Sequence, residues 1–446
     1  MKRRKHVYWL AGCLLAQAAL AGCTSGGTIG KEGNEQPPQG GKPVISNEPV
    51  TLAFKMNVGS ITSQEGFMTV FGDKIKEKFP HVTPVFVPSD VTLKTILETG
   101  QQLDIYYDSY ANTPTNLLQN GLQTDLTSLI KQFNYDVSPL EKTSVEAQRQ
   151  LANGGMYGLP VSIDSVALIY NKGLFNQFGI PYPKDNMTMD ELYDVTRKMS
   201  RVVDGVNYYG FGTSLGPVLA LDPLAPLFVD PTTNKGNFSS ETFKRSFQSL
   251  TGLFRIPNNE YEKTTLNYSA HLKMFSEQRL AMLLGPNALG TRYFADKDKT
   301  LDWDLTTYPT YKEAAKTGPQ NAPGYFYVTS NSKHKEAAFQ VAALVTSPEF
   351  QKHLARKGYV PALQKPEIIS EFGKELPFLK DKHVQALFTT NPAPIAKLTP
   401  YQAIALAEVQ TALTDVQFSG KDVNTVLRET DERINQKIAA ELAKSK

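Results

Sequence analysis

Strands and helices alternate between residues 50 and 107, and this alternation constrains the fold more than any other feature of the sequence. Residues 50–54, 82–87 and 103–107 are short apolar stretches that predict strands. Between them, residues 64–79 and 91–99 carry apolar side chains at helical spacing. A βαβαβ succession predicts a parallel sheet that is covered by helices. The sequence therefore predicts an α/β fold.

Polar loops follow two of these predicted strands. Asn57 and Ser60 come after the first strand, and Asp108 and Tyr110 come after the third. Ligands of open α/β sheets bind beyond the carboxyl ends of the strands. We therefore expect both loops to line a ligand-binding cleft.

Residues 154–171 predict a loop that becomes a buried strand. Glycines and a proline interrupt the first part, and the apolar run at 166–170 predicts the strand. Asp164 lies between the two parts, where a carboxylate that loses water must find a partner. We expect Asp164 to accept hydrogen bonds from ligand hydroxyls. The alternative is that it binds local backbone amides.

Aromatic residues cluster at two predicted strands. The clusters are Tyr106, Tyr107 and Tyr110, and Tyr325, Phe326 and Tyr327. An aromatic ring can stack on the apolar face of a sugar while nearby polar groups bind its hydroxyls. Tyr110 and Tyr325 are the candidates for such a contact, with core packing as the alternative.

The N-terminal segment predicts export and a lipid anchor. A basic stretch at residues 2–5 precedes an apolar run that is shorter than the roughly 20 residues of a membrane-spanning helix. The sequence Leu-Ala-Gly-Cys that ends at Cys23 resembles the bacterial lipobox. We expect a signal peptide at 1–22, a lipidated Cys23 and a flexible linker to residue 49. The alternative is an ordinary signal peptide with a chance cysteine.

Charge and cysteine content exclude several classes of function. Without the four basic residues of the predicted signal peptide, Lys and Arg fall from 47 to 43 against 44 acidic residues, so no basic surface for nucleic acid is expected. Cleavage removes Cys13, and lipidation uses Cys23. No thiol then remains for a disulfide, a nucleophile or a metal site.

Two short motifs suggest other chemistry. Residues 212–216 match the GxSxG pattern of serine hydrolases around Ser214, but the sequence that follows favours a glycine-rich loop. Residues 296–302 resemble the start of a calcium loop and lack its later glycine and glutamate. We expect no metal, no cofactor and no enzymatic activity. The alternative is a lipoprotein hydrolase that uses Ser214 or a carboxylate pair.

The order of several motifs resembles the extracellular solute-binding proteins of ABC importers, in the sugar-binding family that includes maltose-binding protein. Residues 157–192 contain a Gly-Leu-Pro turn, an apolar strand, Tyr-Asn-Lys and a helix that ends in Gly-Ile. Leu-Asp-Ile at 103–105, Phe-Ser-Glu-Gln-Arg-Leu-Ala-Met at 275–282 and Ser-Lys-His-Lys-Glu-Ala-Ala at 332–338 add to the resemblance. Together with the lipobox, these motifs span nearly the whole chain.

This resemblance implies two α/β lobes joined by a hinge, with the ligand between them. It also implies a monomer that closes on its solute and docks on a membrane permease, with no cofactor. The lobes implied are residues 50–133 plus 327–376 and residues 134–326 plus 377–446.

Two positions depart from the family pattern. Met189 and Asn287 stand where the family usually has tryptophan, and the second of these tryptophans often contacts sugar. Tyr325 falls where the family often has an aromatic residue in the cleft, and the Asn287 amide can bond a hydroxyl. The resemblance to the sugar-binding family as a whole implies capture of a sugar or oligosaccharide. The alternative is a peptide or signalling ligand that is read by a membrane sensor.

Overall fold

The computed structural model describes residues 48–59, 61–286 and 301–444. Its strands, numbered in chain order, are β1 Val50–Met56, β2 Val82–Phe86, β3 Ile105–Ser109, β4 Gly158–Asp164, β5 Val166–Asn171, β6 Arg201–Val203, β7 Val206–Thr213, β8 Leu280–Pro286, β9 Trp303–Thr306, β10 Thr317–Gln320, β11 Ala322–Val328, β12 Val360–Pro361 and β13 Asn391–Ala393.

Helices lie between most of these strands. They are α1 Gln64–Phe67, α2 Asp73–Lys78, α3 Leu93–Thr99, α4 Thr127–Gln132, α5 Lys142–Leu151, α6 Lys172–Phe178, α7 Met189–Met199, α8 Leu215–Ala220, α9 Glu241–Thr251, α10 Tyr268–Ser276, α11 Lys335–Val345, α12 Pro348–Arg356, α13 Pro366–Ile369, α14 Gln402–Phe418 and α15 Val423–Lys444. Single π-helical turns lie at Met68–Gly72 and Thr113–Leu118.

The first sheet has six strands in the order β12-β4-β11-β3-β1-β2. As the alternation at residues 50–107 predicts, β1 lies parallel between β2 and β3. Strand β11 runs antiparallel to both β3 and β4, so β3 and β4 point the same way. The carboxyl ends of β1, β3 and β4 and the amino end of β11 therefore share one edge of the sheet.

Strand β4 occupies residues for which the sequence predicts a loop. Pro160 pairs with Tyr325, next to the register shift between Gly324 and Tyr325. Proline has no N–H for the ladder and is tolerated at irregular positions of a sheet. The shift thus accommodates Pro160 between two neighbouring strands, and the turn-forming residues of this segment belong to a strand.

The second sheet has five strands in the order β6-β7-β8-β5-β9, and β10 pairs with β13 in a separate parallel ribbon. Each large sheet has its own apolar core. The first core contains Phe54, Phe71 and Phe326. The second contains residues of β5, β7 and β8 together with side chains of the C-terminal helices α14 and α15.

The chain passes directly between the two large sheets. Strand β4 of the first sheet ends at Asp164, and β5 of the second begins at Val166. Strands β4 and β11 lie in the first sheet, although the family resemblance implies that residues 134–326 belong to the second lobe. Sheet membership does not assign the intervening helices and loops, so the lobe boundaries remain a prediction. Within the described ranges, every helix is too short or too polar to span a bilayer.

His271 lies inside the second core. Its side chain is 1% exposed, and Nδ1 accepts a hydrogen bond of 3.2 Å from the backbone N–H of Thr213. The ring lies 5.9 Å from that of Phe254 and 4.5 Å from that of Tyr261, measured between centroids. Burial lowers the pKa of His271 to about 4, and the Thr213 carbonyl oxygen, 3.1 Å from Nδ1, opposes this shift because it favours a protonated ring. The folded protein therefore holds a neutral imidazole.

We expect the protein to lose stability as the pH falls from about 6.5 to about 4. In that range the unfolded chain, with an ordinary histidine pKa of about 6.5, binds a proton that the folded protein excludes. His271 should lower the free energy of unfolding by about 2 kcal/mol between pH 7 and pH 5. Urea unfolding at both pH values measures the loss.

His271→Gln removes the titrating group and should shrink this loss relative to the unmutated protein. His334→Gln is the control, because the His334 side chain is exposed, and it should keep the full loss. An H271Q protein that loses as much stability as the unmutated protein would contradict the assignment.

Candidate functional site

A cavity of about 180 Å³ opens at the shared edge of the first sheet. It lies where β1, β3 and β4 end and β11 begins, the position at which open α/β sheets bind ligands. Residues that line it include Val58, Gly59, Ser109, Asp164, Tyr359 and Val360. The loop after β1 contributes Val58 and Gly59 to its wall, and Ser109, predicted to lie in the next loop, contributes as the last residue of β3.

Tyr107, Ser162 and Gly324 form a second part of the cavity wall. The Tyr107 hydroxyl and the Ser162 Oγ atom lie 2.9 Å apart and are buried. A Cβ atom at position 324 would lie only 2.8 Å from Cζ of Tyr107, so glycine is needed for the phenol to reach Ser162. Sequence reasoning missed the last two residues. The available signal was the glycine at position 324, directly before the aromatic residues Tyr325, Phe326 and Tyr327.

Asp164 is the predicted ligand-binding residue that lines this cavity. It is partly buried at the end of β4, opposite Ala322 of β11. Its Oδ1 atom accepts a hydrogen bond of 2.9 Å from the backbone N–H of Ser165. The structure thus shows both the local amide contact of the alternative interpretation and a position on the cavity wall. Its contact with ligand remains a prediction.

Asp108 is fully buried and serves as a hydrogen-bonding centre. Its Oδ1 atom accepts from Ser109 N and Asn112 Nδ2, and its Oδ2 atom accepts from Asn57 Nδ2, Tyr106 Oη and Asn116 Nδ2, all at 2.8–2.9 Å. Asp108 therefore ties the loop after β1 to the segment after β3. The predicted residue Asn57 is exposed and binds this carboxylate. Both side chains thus position the loops that reach the cavity.

Tyr110 and Tyr325 pack in a core cluster with Tyr106 and Tyr327. The Tyr325 hydroxyl donates a hydrogen bond of 2.8 Å to the Ser144 carbonyl. Burial raises the pKa of both Tyr110 and Tyr325, so each phenol is protonated. In this structure the two rings pack as the alternative interpretation expects, and their contact with ligand remains a prediction.

Three predicted residues, Ser60, Asn287 and Cys23, lie outside the described residues, as does most of the calcium-like segment 296–302. No group of three or more His, Cys, Asp or Glu side chains that could hold a metal ion occurs in the described ranges.

Ser214 of the GxSxG motif follows strand β7 and precedes helix α8. The helix corrects the expectation of a glycine-rich loop, because Leu215, Val218 and Leu219 bury an apolar helix face in the second core. The backbone of Ser214 has φ −89° and ψ 78°. A nucleophile elbow needs a sharp, strained turn at this serine, and a negative φ carries no such strain.

We expect Asp108→Asn to destabilise the protein by about 2–4 kcal/mol. Both carboxylate oxygens accept hydrogen bonds, so an amide must point its NH₂ group at donors in either orientation. Urea unfolding measures the loss. Asp381→Asn changes an exposed carboxylate and should have little effect. Equal stability of the two variants would contradict the role of Asp108 as a hydrogen-bonding centre.

Two solved structures share the fold at low sequence identity. A sugar transporter from Rhizobium etli in an open conformation has a TM-score of 0.70 and 20% identity, covering 86% of this chain and 99% of that chain. An ABC substrate-binding protein from Listeria monocytogenes in complex with cycloalternan has a TM-score of 0.65 and 18% identity. This match covers 87% of this chain and 98% of that chain. Both likenesses confirm the predicted two-lobed α/β fold.

The sequence itself matches a known family. The maltotriose-binding protein of Pyrococcus abyssi is 24% identical over 310 residues, which are 67% of this chain and 62% of that protein. The chain thus matches less than two thirds of the length of this curated relative. Residues 59–352 match the model of the bacterial extracellular solute-binding proteins. Because this match spans well over half of the sequence, the chain belongs to the bacterial extracellular solute-binding proteins.

Proposed function

We propose that this protein captures a sugar or oligosaccharide between its lobes and delivers it to an ABC permease. The observation that carries the proposal is the cavity at the carboxyl edge of the first sheet, with Asp164 on its wall where the chain crosses to the second sheet. The maltotriose-binding relative and the cycloalternan complex of a fold relative support a carbohydrate ligand.

The chemistry of the cavity suits a polyhydroxylated ligand. The carboxylate of Asp164 and the hydroxyls of Ser109 and Ser162 offer acceptors and donors, and Tyr359 adds an aromatic ring. Its volume of about 180 Å³ is below the roughly 300–1,000 Å³ of pockets for drug-sized ligands. The cavity would therefore hold one portion of the ligand, and closure of the second lobe would enclose the rest.

Binding without catalysis is the simplest account of this site. The family and the fold are those of binding proteins. Ser214 does not line the cavity and lacks the strained backbone of an activated serine. We therefore propose that the protein works as a monomeric carrier and performs no reaction on its ligand.

We further propose that a lipid on Cys23 holds the protein on the outer face of the cell membrane. The segment 1–22 has the features of a signal peptide, and the globular body begins with β1 at Val50. A linker of about 25 flexible residues has a root-mean-square span of roughly 25–30 Å. That span separates the ligand-binding body from the bilayer while it stays within reach of a permease.

We expect a carbohydrate to raise the thermal unfolding midpoint. A ligand at about 100 times its dissociation constant adds about 2.7 kcal/mol to the stability. The test is a thermal-shift screen of mono-, di- and oligosaccharides that includes maltotriose. If no saccharide in the screen shifts the midpoint, the carbohydrate proposal is wrong.

Asp164→Asn should weaken binding of the best saccharide about tenfold or more, because a hydrogen bond to a charged acceptor contributes about 1.5–3 kcal/mol. The unfolding midpoint without ligand should change little. Titration calorimetry measures the affinity, and Asp381→Asn is the matched control. A large stability loss with unchanged affinity would show that Asp164 serves only its backbone contact.

Cys23→Ala should release the protein from the membrane into the soluble fraction of the cells that express it. The lipid attaches to the cysteine sulfur, and alanine offers no attachment site. Fractionation and immunoblotting compare the variant with the unmutated protein. If the variant is shortened to the same length as the unmutated protein and still stays in the membrane fraction after a salt wash, anchoring through Cys23 is refuted.

A further inference from the structure

The hydroxyl of Tyr268 is buried without a hydrogen-bond partner in the described part of the chain. Tyr268 is the first residue of α10, and the helix is capped by the Asn267 side chain rather than by this phenol. A buried hydroxyl without a partner costs about 1–3 kcal/mol. A buried polar group without a partner calls for an explanation, and a bound molecule that completes its hydrogen bonding is one.

Strand β8 is shaped to admit this phenol. A Cβ atom at Gly285 would lie 2.8 Å from the Tyr268 hydroxyl oxygen and 3.3 Å from two ring carbons. Any larger residue at position 285 would displace the ring. Glycine therefore lets the hydroxyl lie directly against the strand backbone.

The pairing of β8 with β5 places this hydroxyl near the crossing between the sheets. Gly285 pairs with Ala167, and Pro286 pairs with Val166. Val166 follows Asp164 by two residues, and Asp164 lines the cavity of the first sheet. The end of the second sheet that holds the Tyr268 hydroxyl is thus the end nearest Asp164.

The Asp164 carboxylate also acts electrostatically on the Tyr268 phenol. Burial raises the pKa of Tyr268, and the Asp164 carboxylate raises it further. The phenol is therefore a hydrogen-bond donor, whereas an ionised carboxylate is only an acceptor. A donor beside the second sheet and an acceptor at the edge of the first sheet form a complementary pair for a ligand with several hydroxyls.

We propose that Tyr268 is a specificity-determining residue of the carbohydrate site and extends it from the cavity to the second lobe. Its hydroxyl donates a hydrogen bond to a ligand oxygen, while Asp164 accepts one from a ligand hydroxyl. This assignment rests on the proposed function. The ligand oxygen would be the hydrogen-bond partner that the Tyr268 hydroxyl lacks within the described chain.

Tyr268→Phe tests the assignment because it removes only the hydroxyl and keeps the ring against Gly285. We expect the affinity for maltotriose, or for the best saccharide of the screen, to fall about five- to tenfold. The unfolding midpoint without ligand should stay the same or rise, because an unpartnered buried hydroxyl is lost. Tyr193→Phe is the matched control, since the Tyr193 hydroxyl donates to the Gly252 carbonyl at 3.0 Å on the surface. It should leave the affinity unchanged.

A series of monodeoxy analogues of the same saccharide provides a second measurement. The analogue that lacks the contacted oxygen should bind the unmutated protein more weakly than the parent sugar, and Y268F should not distinguish the two. If Y268F binds the parent sugar within twofold of the unmutated protein, the assignment is wrong and the proposed function stands. If the unmutated protein binds no saccharide, the proposed function and this inference fall together.

Discussion

A one-residue connection between two strands organises this molecule. Strand β4 ends at Asp164, β5 begins at Val166, and the two strands belong to different sheets. Ser165 alone joins them. The edge of the first sheet where β4 ends must therefore lie next to the amino end of β5 in the second sheet. Backbone hydrogen bonds of two sheets, rather than a long loop, therefore position Asp164. Sites that are built on regular elements hold their geometry better than sites on loops.

Local periodicity allowed much of the fold to be predicted. The strands and helices of residues 50–107 and the apolar strand that begins at Val166 follow from the spacing of apolar residues. These elements bury one face or both against a neighbouring layer, so their patterns are strong. A cavity also lies at the edge of the sheet where the sequence predicts a cleft, since the rule on carboxyl ends of strands depends only on strand direction.

The detailed site could not be predicted, because it depends on contacts between distant residues. Tyr107 and Ser162 are 55 positions apart and meet only after β3, β11 and β4 pair. Asp108 was expected to contact ligand because it follows a predicted strand, and this contact remains a prediction. The sequence did not show that its carboxylate accepts hydrogen bonds from Asn57 and Asn112, which lie in different segments. Pro160 indicated a turn, and only the register of β11 shows how a strand accepts it. Sequence alone does not reveal such pairings.

The order in which residues of the two cores occur along the chain has a consequence for folding. The first core needs Phe339 and Phe350, and the second needs Val409 and Ile434. Each core thus joins early strands to segments more than 150 residues later, a topology of high contact order that folds slowly. A growing chain cannot complete the first core before α12 exists, or the second core before α14 and α15 exist. Slow folding suits a member of an extracellular family, because a polypeptide that reaches its native state late remains available for passage across a membrane.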